Sequence, residues 1–366
     1  LYVGKNNATN DKYSKTFGKD GYGATFTDCY YLNPCGKAQG TQVTAERLKS
    51  GEMAKLLQGD RTENVWGQTL GTDLEPLPTT DATKRVYEVK FTYNGKEVAT
   101  RYANKDGKVI LPTTKDIVGE SYNPHHYYAL TFGGGFSAST TITEDRQVAV
   151  TLDHKEYYEI KNKDDWKAFC DIVESGQTSV DAKLTQDVDL GSEIVMAGTE
   201  DPNPFGYDDF LYYTGTFDGQ GHTLKFNWNA GKDDRIAPFK YVKDATIKNL
   251  RTQGKITKKG YGLSGMVYIA LGTTTISGCI SDVDITGGDG SWNDSQAAGM
   301  VQAVGYQASV HITDCLVKGS ITDNADESYK AMAGFVFSNS GTYTLTRCLY
   351  VGKNNATNDK YSKTFG

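Results

Sequence analysis

The sequence predicts a mostly β protein, built around a coiled stack of parallel strands, with short helices and a small separate β domain. Composition is the first observation, because Gly (40) and Tyr (24) are abundant while Pro (8) and Met (5) are scarce. Turn dipeptides recur at the spacing of short strands, which favours β structure over helix. The second and third observations are a pair of alternating motifs and an 18-residue segment that occurs twice.

The repeated segment is LYVGKNNATNDKYSKTFG, at Leu1–Gly18 and unchanged at Leu349–Gly366. The offset is 348 residues. A short duplicated tag is the alternative explanation, but the repeated residues continue a pattern found inside the chain. The identity therefore indicates a window slightly longer than one period of a nearly identical tandem array.

Two motifs alternate in the second half of the chain. The first is small-Gly-apolar-Val, at Ser264–Val267, Ala298–Val301 and Ala333–Val336. The second is apolar-x-x-Cys, and it ends at Cys279, Cys315, Cys348 and, near the start of the chain, Cys29; Leu250 fills the Cys position in an earlier copy. Recurrence of both motifs in the same order predicts a solenoid whose successive rungs stack on one another.

The Cys motif predicts a corner between two strands. Its apolar residue and its Cys are three positions apart and would face opposite sides of a straight strand. The residue before Cys belongs to a type that tolerates positive φ in four of the five copies, and Arg347 is the exception. Each Cys is then expected to point inward and to stack about 4.8 Å from its neighbour.

The residue that follows each Cys should point outward by strand parity. These residues are Tyr30, Ile280, Leu316 and Leu349. An exposed apolar stripe of this kind is typical of a lateral interface.

The motifs resemble a known family. Gly-apolar-Val strands alternating with Ile-x-Asn/Asp-Cys strands, preceded by Gly215–Leu224 (GTFDGQGHTL), resemble the GLUG-type right-handed parallel β-helices of bacterial surface proteins over about residues 180–366 and 1–40. The closing Gly of the family motif is replaced here by Tyr268, Gln302 or Phe337. The resemblance implies secretion, tandem display on the cell surface, and an adhesin or stalk role.

Helices and a spacer complete the predicted unit. Residues 43–58 and Lys163–Ser175 have apolar residues at helical spacing and are expected to cap the solenoid. Residues 85–153 alternate apolar and polar positions around an Asn94-Gly95 turn, which predicts a small Ig-like or β-grasp domain. We therefore expect final rungs of the preceding repeat at 1–40, a capping helix and linker at 41–80, a β spacer at 84–155, and a capping helix with the parallel β-helix at 157–366.

Candidate chemistry is sparse. Asp208-Asp209, Asp233-Asp234 and Asp218 stand beside turn-forming residues, which favours a role in turns over a catalytic pair. His125-His126 lacks a third ligand at suitable spacing, and the loops at 200–209 and 289–294 match no defined Ca²⁺ motif, although oxygen-rich loops can hold Ca²⁺. No catalytic residue and no cofactor is therefore assigned. For the cysteines, a Cys279–Cys315 disulfide is the alternative to buried thiols, which we favour because Leu250 fills the same position.

These observations predict a structural or adhesive unit of a long extracellular tandem-repeat protein, without enzymatic activity. The expected partners are neighbouring copies of the unit, joined end to end. Glycans and other surface proteins are further candidate partners. The alternative is a polysaccharide lyase or hydrolase acting in a β-helix groove. A net charge of −6 without a basic stripe argues against nucleic acid, and no apolar run approaches the roughly 20 residues that cross a bilayer.

Overall fold

A computed structural model describes residues 1–5, 15–18, 25–34, 36–200, 210–230, 235–258, 262–287, 296–323, 331–337, 340–355 and 364–365. The chain divides into two compact units. The first comprises Leu1–Tyr122 with Ala129–Asp153, and the second comprises Asn123–Tyr128 with His154–Gly366. The predicted module boundary at 155–157 therefore lies close to the division between the units.

The elements that precede residue 157 are two pairs of short strands, three helices and a four-stranded sheet. They are β1 (Tyr30–Tyr31), β2 (Thr41–Gln42), α1 (Ala45–Lys49), α2 (Glu52–Gln58), β3 (Trp66–Gly67), β4 (Leu77–Pro78), β5 (Val86–Tyr93), β6 (Lys96–Asn104), α3 (Thr114–Val118), β7 (Tyr127–Phe132) and β8 (Arg146–Lys155). Single 3₁₀ turns lie at Ala82–Lys84, Gly119–Ser121 and Gly133–Gly135.

The second unit consists of one helix and many short strands. They are β9 (Tyr158–Ile160), α4 (Lys163–Glu174), β10 (Ala182–Leu184), β11 (Val188–Gly191), β12 (Thr199–Glu200), β13 (Phe210–Leu211), β14 (Thr216–Asp218), β15 (Thr223–Ala230), β16 (Phe239–Lys243), β17 (Thr246–Lys248), β18 (Arg251–Lys258), β19 (Leu263–Ser264), β20 (Val267–Leu271), β21 (Thr273–Ser277), β22 (Ile280–Gly287), β23 (Gln296–Ala298), β24 (Val301–Val304), β25 (Ser309–Thr313), β26 (Leu316–Val317), β27 (Ile321–Asp323), β28 (Ala331–Ala333), β29 (Thr342–Thr346) and β30 (Leu349–Tyr350).

The second unit is mostly β, and its main sheets are parallel. One sheet has the order β29-β25-β21-β17-β14-β10-β9 and another β11-β15-β18-β22-β26-β30; two smaller sheets have the orders β16-β20-β24 and β19-β23-β28. Each strand therefore pairs with its counterpart in the next copy of the motifs. Strand β15 shows the reason for this pairing, because its residues are alternately buried and exposed. A strand with one apolar face is stabilised when the apolar face of the next strand stacks on it in register.

Helix α4 covers one end of the apolar core of the second unit. Asn162 caps it by accepting a hydrogen bond from the Asp165 backbone N–H at 3.0 Å. Trp166 and Phe169 are fully buried, and their rings contact that of Phe217. The predicted helix at Lys163–Ser175 is thus present, with its apolar face buried as expected.

The helical segment predicted at 43–58 forms two helices and not one. The break is at Gly51, whose φ is +91°, and an added Cβ there would press on Leu70 and Val86. Glycine is therefore required at the corner. Leu48 and Met53 are buried on either side of it and form a small core with Val43.

The four-stranded sheet has the order β6-β5-β8-β7, with β5 antiparallel to β6 and parallel to β8. Asn94 and Gly95 both have positive φ and form the predicted hairpin turn between β5 and β6. Phe91 is fully buried and packs edge-on against Phe132 and Phe136. In the part of the chain that the structure describes, no helix is long and apolar enough to cross a membrane.

Candidate functional site

The corner before each Cys has one backbone conformation in all five copies. The φ values are 51° at Asp28, 51° at Asn249, 63° at Gly278, 55° at Asp314 and 51° at Arg347. Four of these residues are Asp, Asn or Gly, types that tolerate the left-handed region, and they made the corner predictable. Arg347 does not belong to a tolerant type, so its conformation follows from its place in the stack.

The inward line next to the corners contains Leu250, Cys279, Cys315 and Cys348. The residues that follow them pair in parallel register, Arg251 with Ile280, Ile280 with Leu316 and Leu316 with Leu349. Leu250, Cys279 and Cys315 are at most 2% exposed. Cys348 is only partly buried, contrary to expectation. Cys29, in the first unit, is also partly buried.

The four thiols make the same local hydrogen bond, which the sequence analysis missed. Each Sγ–H donates to the carbonyl two residues earlier, at distances of 3.2 to 3.4 Å; the pairs are Cys29 with Thr27, Cys279 with Ser277, Cys315 with Thr313 and Cys348 with Thr346. A thiol is a small hydrophobe with a weak donor. In the three copies of the second unit, the carbonyl that it contacts also accepts the backbone N–H of the corner residue one copy earlier. The recurrence of Cys at this position was the only signal for it.

The described cysteines are free thiols, as favoured in the sequence analysis. Burial raises the pKa of Cys279 well above its usual value, and the pKa of Cys170, on the buried face of α4, is raised for the same reason. Both thiols are therefore protonated at neutral pH. A protonated, buried thiol is a poor nucleophile, so these residues act as packing groups.

The residues predicted to form an outward stripe are all at least partly exposed. Leu349 is 57% exposed, and Ile280 and Leu316 line a groove of about 270 Å³ together with Arg251 and Lys318. Tyr30 is partly exposed in the first unit. The stripe in the second unit is thus a narrow apolar line between charged side chains.

A polar cleft of about 600 Å³ lies in the second unit near His125 and Asp181. The Asp181 carboxylate accepts a hydrogen bond from the Thr216 backbone N–H at 2.7 Å and lies 3.2 Å from His125 Nδ1. Asp218 accepts from the Gln220 N–H at 2.9 Å, as expected for a turn-forming acid. Both carboxylates thus have structural hydrogen-bond partners.

Within the described ranges, no three His, Cys, Asp or Glu side chains lie close enough together to hold a metal ion. His126 Nδ1 lies 2.9 Å from His154 Nε2, and the His154 ring stacks on Tyr128. Asp208-Asp209, Asp233-Asp234 and the loop at 289–294 lie outside the described residues, as does most of the loop at 200–209.

The two copies of the repeated segment pair with different neighbours. In the first unit, the Tyr2 N–H donates to the Tyr30 carbonyl and the Tyr2 carbonyl accepts from the Leu32 N–H, both at 2.9 Å. In the second unit, the N–H groups of Leu349 and Val351 donate to the carbonyls of Cys315 and Val317, at 3.0 and 2.9 Å. Tyr2 corresponds to Tyr350, which stands between Leu349 and Val351.

The two sets of hydrogen bonds use opposite edges of the same strand. Backbone groups of successive residues in a strand point to alternate edges, so Leu349 and Val351 use one edge and the residue between them uses the other. The copy at the end of the chain pairs with the preceding strand, and the copy at the start pairs with the following strand. No backbone group is used twice.

Comparison of the chain with protein-family models, with curated proteins and with solved structures gives no match.

Proposed function

We propose that this chain is a unit of a tandem array in which the parallel strands of each period coil into a right-handed β-helix, and that the array is an extracellular stalk or adhesive fibre of a bacterial cell surface. The observation that carries the proposal is the use of opposite strand edges by two identical segments. One segment can then complete the stack of one unit and begin the next, with both sets of hydrogen bonds made at once.

The inner line and the corners support a coil. A left-handed corner recurs beside every Cys position, and the flanking strands pair in register with those of the next copy. This arrangement is expected when each turn of a coil stacks on the previous one, because a single turn cannot bury its interior alone. Right-handedness is proposed from the resemblance to GLUG-type proteins.

The first unit supplies the end of such a coil. Val43, Leu48 and Met53 form a small core against which Leu1 and Tyr30 pack. The helices α1 and α2 would thus cap the last turns of the preceding unit, which prevents open-ended growth of the sheet. The four-stranded sheet that follows has one parallel central pair and antiparallel β5 and β6, a topology that favours the β-grasp over the two-sheet Ig-like spacer.

The test uses intact cells of the source organism and an antibody against the purified chain. Mild protease treatment of whole cells is expected to release a ladder of bands separated by the mass of one 348-residue period, because the exposed links between coils are cut first. Lysed cells provide the control for total antigen. A single band of the mass of this chain, or antigen protected in intact cells, would refute the proposal.

The polar cleft around His125 and Asp181 supports the second candidate, a polysaccharide-active enzyme. It contains carboxylates and lysines beside Tyr157, the kinds of group that contact sugars. The chain would be incubated with neutral and acidic polysaccharides, and new reducing ends or unsaturated products would be measured. A rate that an Asp181→Asn variant abolishes would favour the enzyme, whereas binding without product would favour adhesion.

A further inference from the structure

The outer face of the seven-stranded parallel sheet in the second unit is rich in hydroxyl groups. In strands β21 and β25 the inward residues are buried, and the residues that alternate with them point outward. All the outward residues are polar, and all but the histidine have a hydroxyl group: Thr273, Thr275, Ser277, Ser309, His311 and Thr313. This part of the sheet therefore presents hydroxyl groups to solvent and no apolar patch.

The outward residues form two columns that run across the strands. Parallel pairing aligns Thr246 with Thr275 and Thr275 with His311 in the first column, and it aligns Ser277 with Thr313 in the second. Neighbouring members of a column are about 4.8 Å apart, and the two columns are separated by about 6.6 Å along each strand. The face is therefore a regular array of hydrogen-bonding groups.

Some of these groups are paired within the protein and others are not. His311 Nδ1 lies 2.8 Å from the Thr344 hydroxyl, which fixes the imidazole ring in the array. Among the described residues, in contrast, the side-chain hydroxyls of Thr275 and Thr313 make no hydrogen bond. A hydroxyl of this kind can both donate to a ligand and accept from it.

The same columns continue into the polar cleft near Asp181. Thr216 and Asp218 of β14 line the cleft and pair in register with Thr246 and Lys248 of β17. Lys248 Nζ lies 3.5 Å from the Asp218 carboxylate, so these two charges offset each other. The cleft as a whole contains three carboxylates, two lysines and two histidines, which leaves it close to neutral.

We propose that this outer face binds a neutral polysaccharide, whose chain lies across the strands from the cleft to β25 and forms hydrogen bonds with the two columns. This assignment rests on the adhesive role proposed above and specifies its ligand.

The charge of the face favours a neutral sugar chain over other polymers. A polyanion is attracted by an excess of cations, and the outward residues of β21 and β25 include neither lysine nor arginine. A protein partner needs apolar or aromatic residues at the centre of the interface, and these strands have none on their outer side.

The spacing of the columns favours the same ligand. An extended chain of β-linked hexoses presents hydroxyl groups at a repeat similar to the distance between strands, so successive sugars can meet successive strands. The strands hold their side chains in place before binding, which lowers the entropy lost when the complex forms.

The experiment is native affinity electrophoresis of the full chain in gels that contain a single polysaccharide. The neutral probes are hydroxyethylcellulose, xyloglucan and galactomannan, and the acidic probe is polygalacturonate. The retardation at increasing polysaccharide concentrations gives Kd. We expect at least one neutral probe to retard the chain more strongly than polygalacturonate does.

Matched variants remove hydroxyl groups from two different sheets. Thr275→Val together with Thr313→Val removes two hydroxyls of the array and retains β-branched side chains, which suit a strand. Kd should rise at least about tenfold, because one hydrogen bond changes a binding constant by about fivefold. The control is Thr257→Val together with Thr286→Val, an aligned pair on β18 and β22 of another sheet, and its Kd should not change.

A conservative variant separates the hydroxyl from the rest of the side chain. Thr275→Ser together with Thr313→Ser retains both hydroxyls and should bind as the wild type does. Loss of affinity in the valine pair at positions 275 and 313, with binding retained in the serine pair and in the control, supports the assignment.

Three outcomes would overturn this assignment. They are no retardation by any neutral probe, equal Kd values for the two valine pairs, and stronger binding of polygalacturonate. Each of them leaves the tandem stalk untouched, because the protease ladder on intact cells tests the array of units by itself.

Discussion

Substituting Gly299 with Ala should destabilise the stacked strands severely. Gly265, Gly299 and Gly334 are the glycines of the small-Gly-apolar-Val motif. A Cβ added at Gly299 would lie 2.5 Å from Val317 Cγ1 and closer still to the Gly334 carbonyl oxygen. The same close approach recurs from Gly265 to the Gly299 carbonyl, so the motif needs glycine for space.

The size of the effect follows from the displacement required. Ordinary carbon contacts are about 3.5–4.0 Å, so the next strand must move by about 1 Å. The movement strains the hydrogen bonds from the Gly299 N–H to Ala333 and from the Met300 N–H to Phe335, at 3.1 and 3.0 Å. Overpacking costs about 1–3 kcal/mol and each weakened bond about 1 kcal/mol, which gives a loss of about 3–5 kcal/mol.

The assay is urea denaturation of the full chain, with hydrogen exchange by mass spectrometry to locate the effect in residues 296–337. The control is Gly18→Ala, because among the described residues, apart from its chain neighbours, no heavy atom lies within 4 Å of a Cβ added at Gly18. Its midpoint should stay within about 0.5 kcal/mol of the wild type. A Gly299→Ala variant as stable as that control would refute the steric argument.

Three further predictions concern the corner, the thiols and the capping helix. Asn249 lies exposed in the left-handed region, so Asn249→Val should lower stability by about 1–2 kcal/mol while Asn249→Gly stays near the wild type; thermal denaturation would measure both. Burial raises the pKa of Cys170, so its thiol stays protonated in the folded protein, whereas the thiol of the unfolded chain ionises near about pH 8.5. The free energy of unfolding should therefore be independent of this group below that pH and should fall above it. Cys170→Ala should reduce the fall in the urea midpoint between pH 7 and pH 10. The buried Trp166 indole N–H donates a hydrogen bond to the Val195 carbonyl at 2.9 Å. Trp166→Phe should therefore lower the free energy of unfolding by about 1–3 kcal/mol in the same urea denaturation assay. An unchanged midpoint would contradict a stabilising role for this hydrogen bond.

The mostly β architecture was accessible from the sequence because residue spacing carries it. The recurrence of the Gly and Cys motifs predicted parallel strands, and the structure confirms the parallel sheets that these motifs form. The helix at Lys163–Ser175 and the Asn94-Gly95 turn were accessible for the same reason, since each depends on residues within one or two turns of the chain.

Other features depend on contacts between distant residues. The break at Gly51 is imposed by Leu70 and Val86, which press on that corner from other parts of the chain. The left-handed conformation of Arg347 and the full burial of Cys279 and Cys315 depend on the strands that stack beside them.

The sequence by itself determined the repeat, its 348-residue offset and the residue types that bend the chain, because these properties are local or periodic. Only the tertiary structure decided that the two identical segments use opposite edges of one strand. An isolated strand has two equivalent edges, and nothing in its residues selects between them. The choice is made by the neighbours that supply hydrogen bonds, Cys315 and Val317 in one unit and Tyr30 and Leu32 in the other.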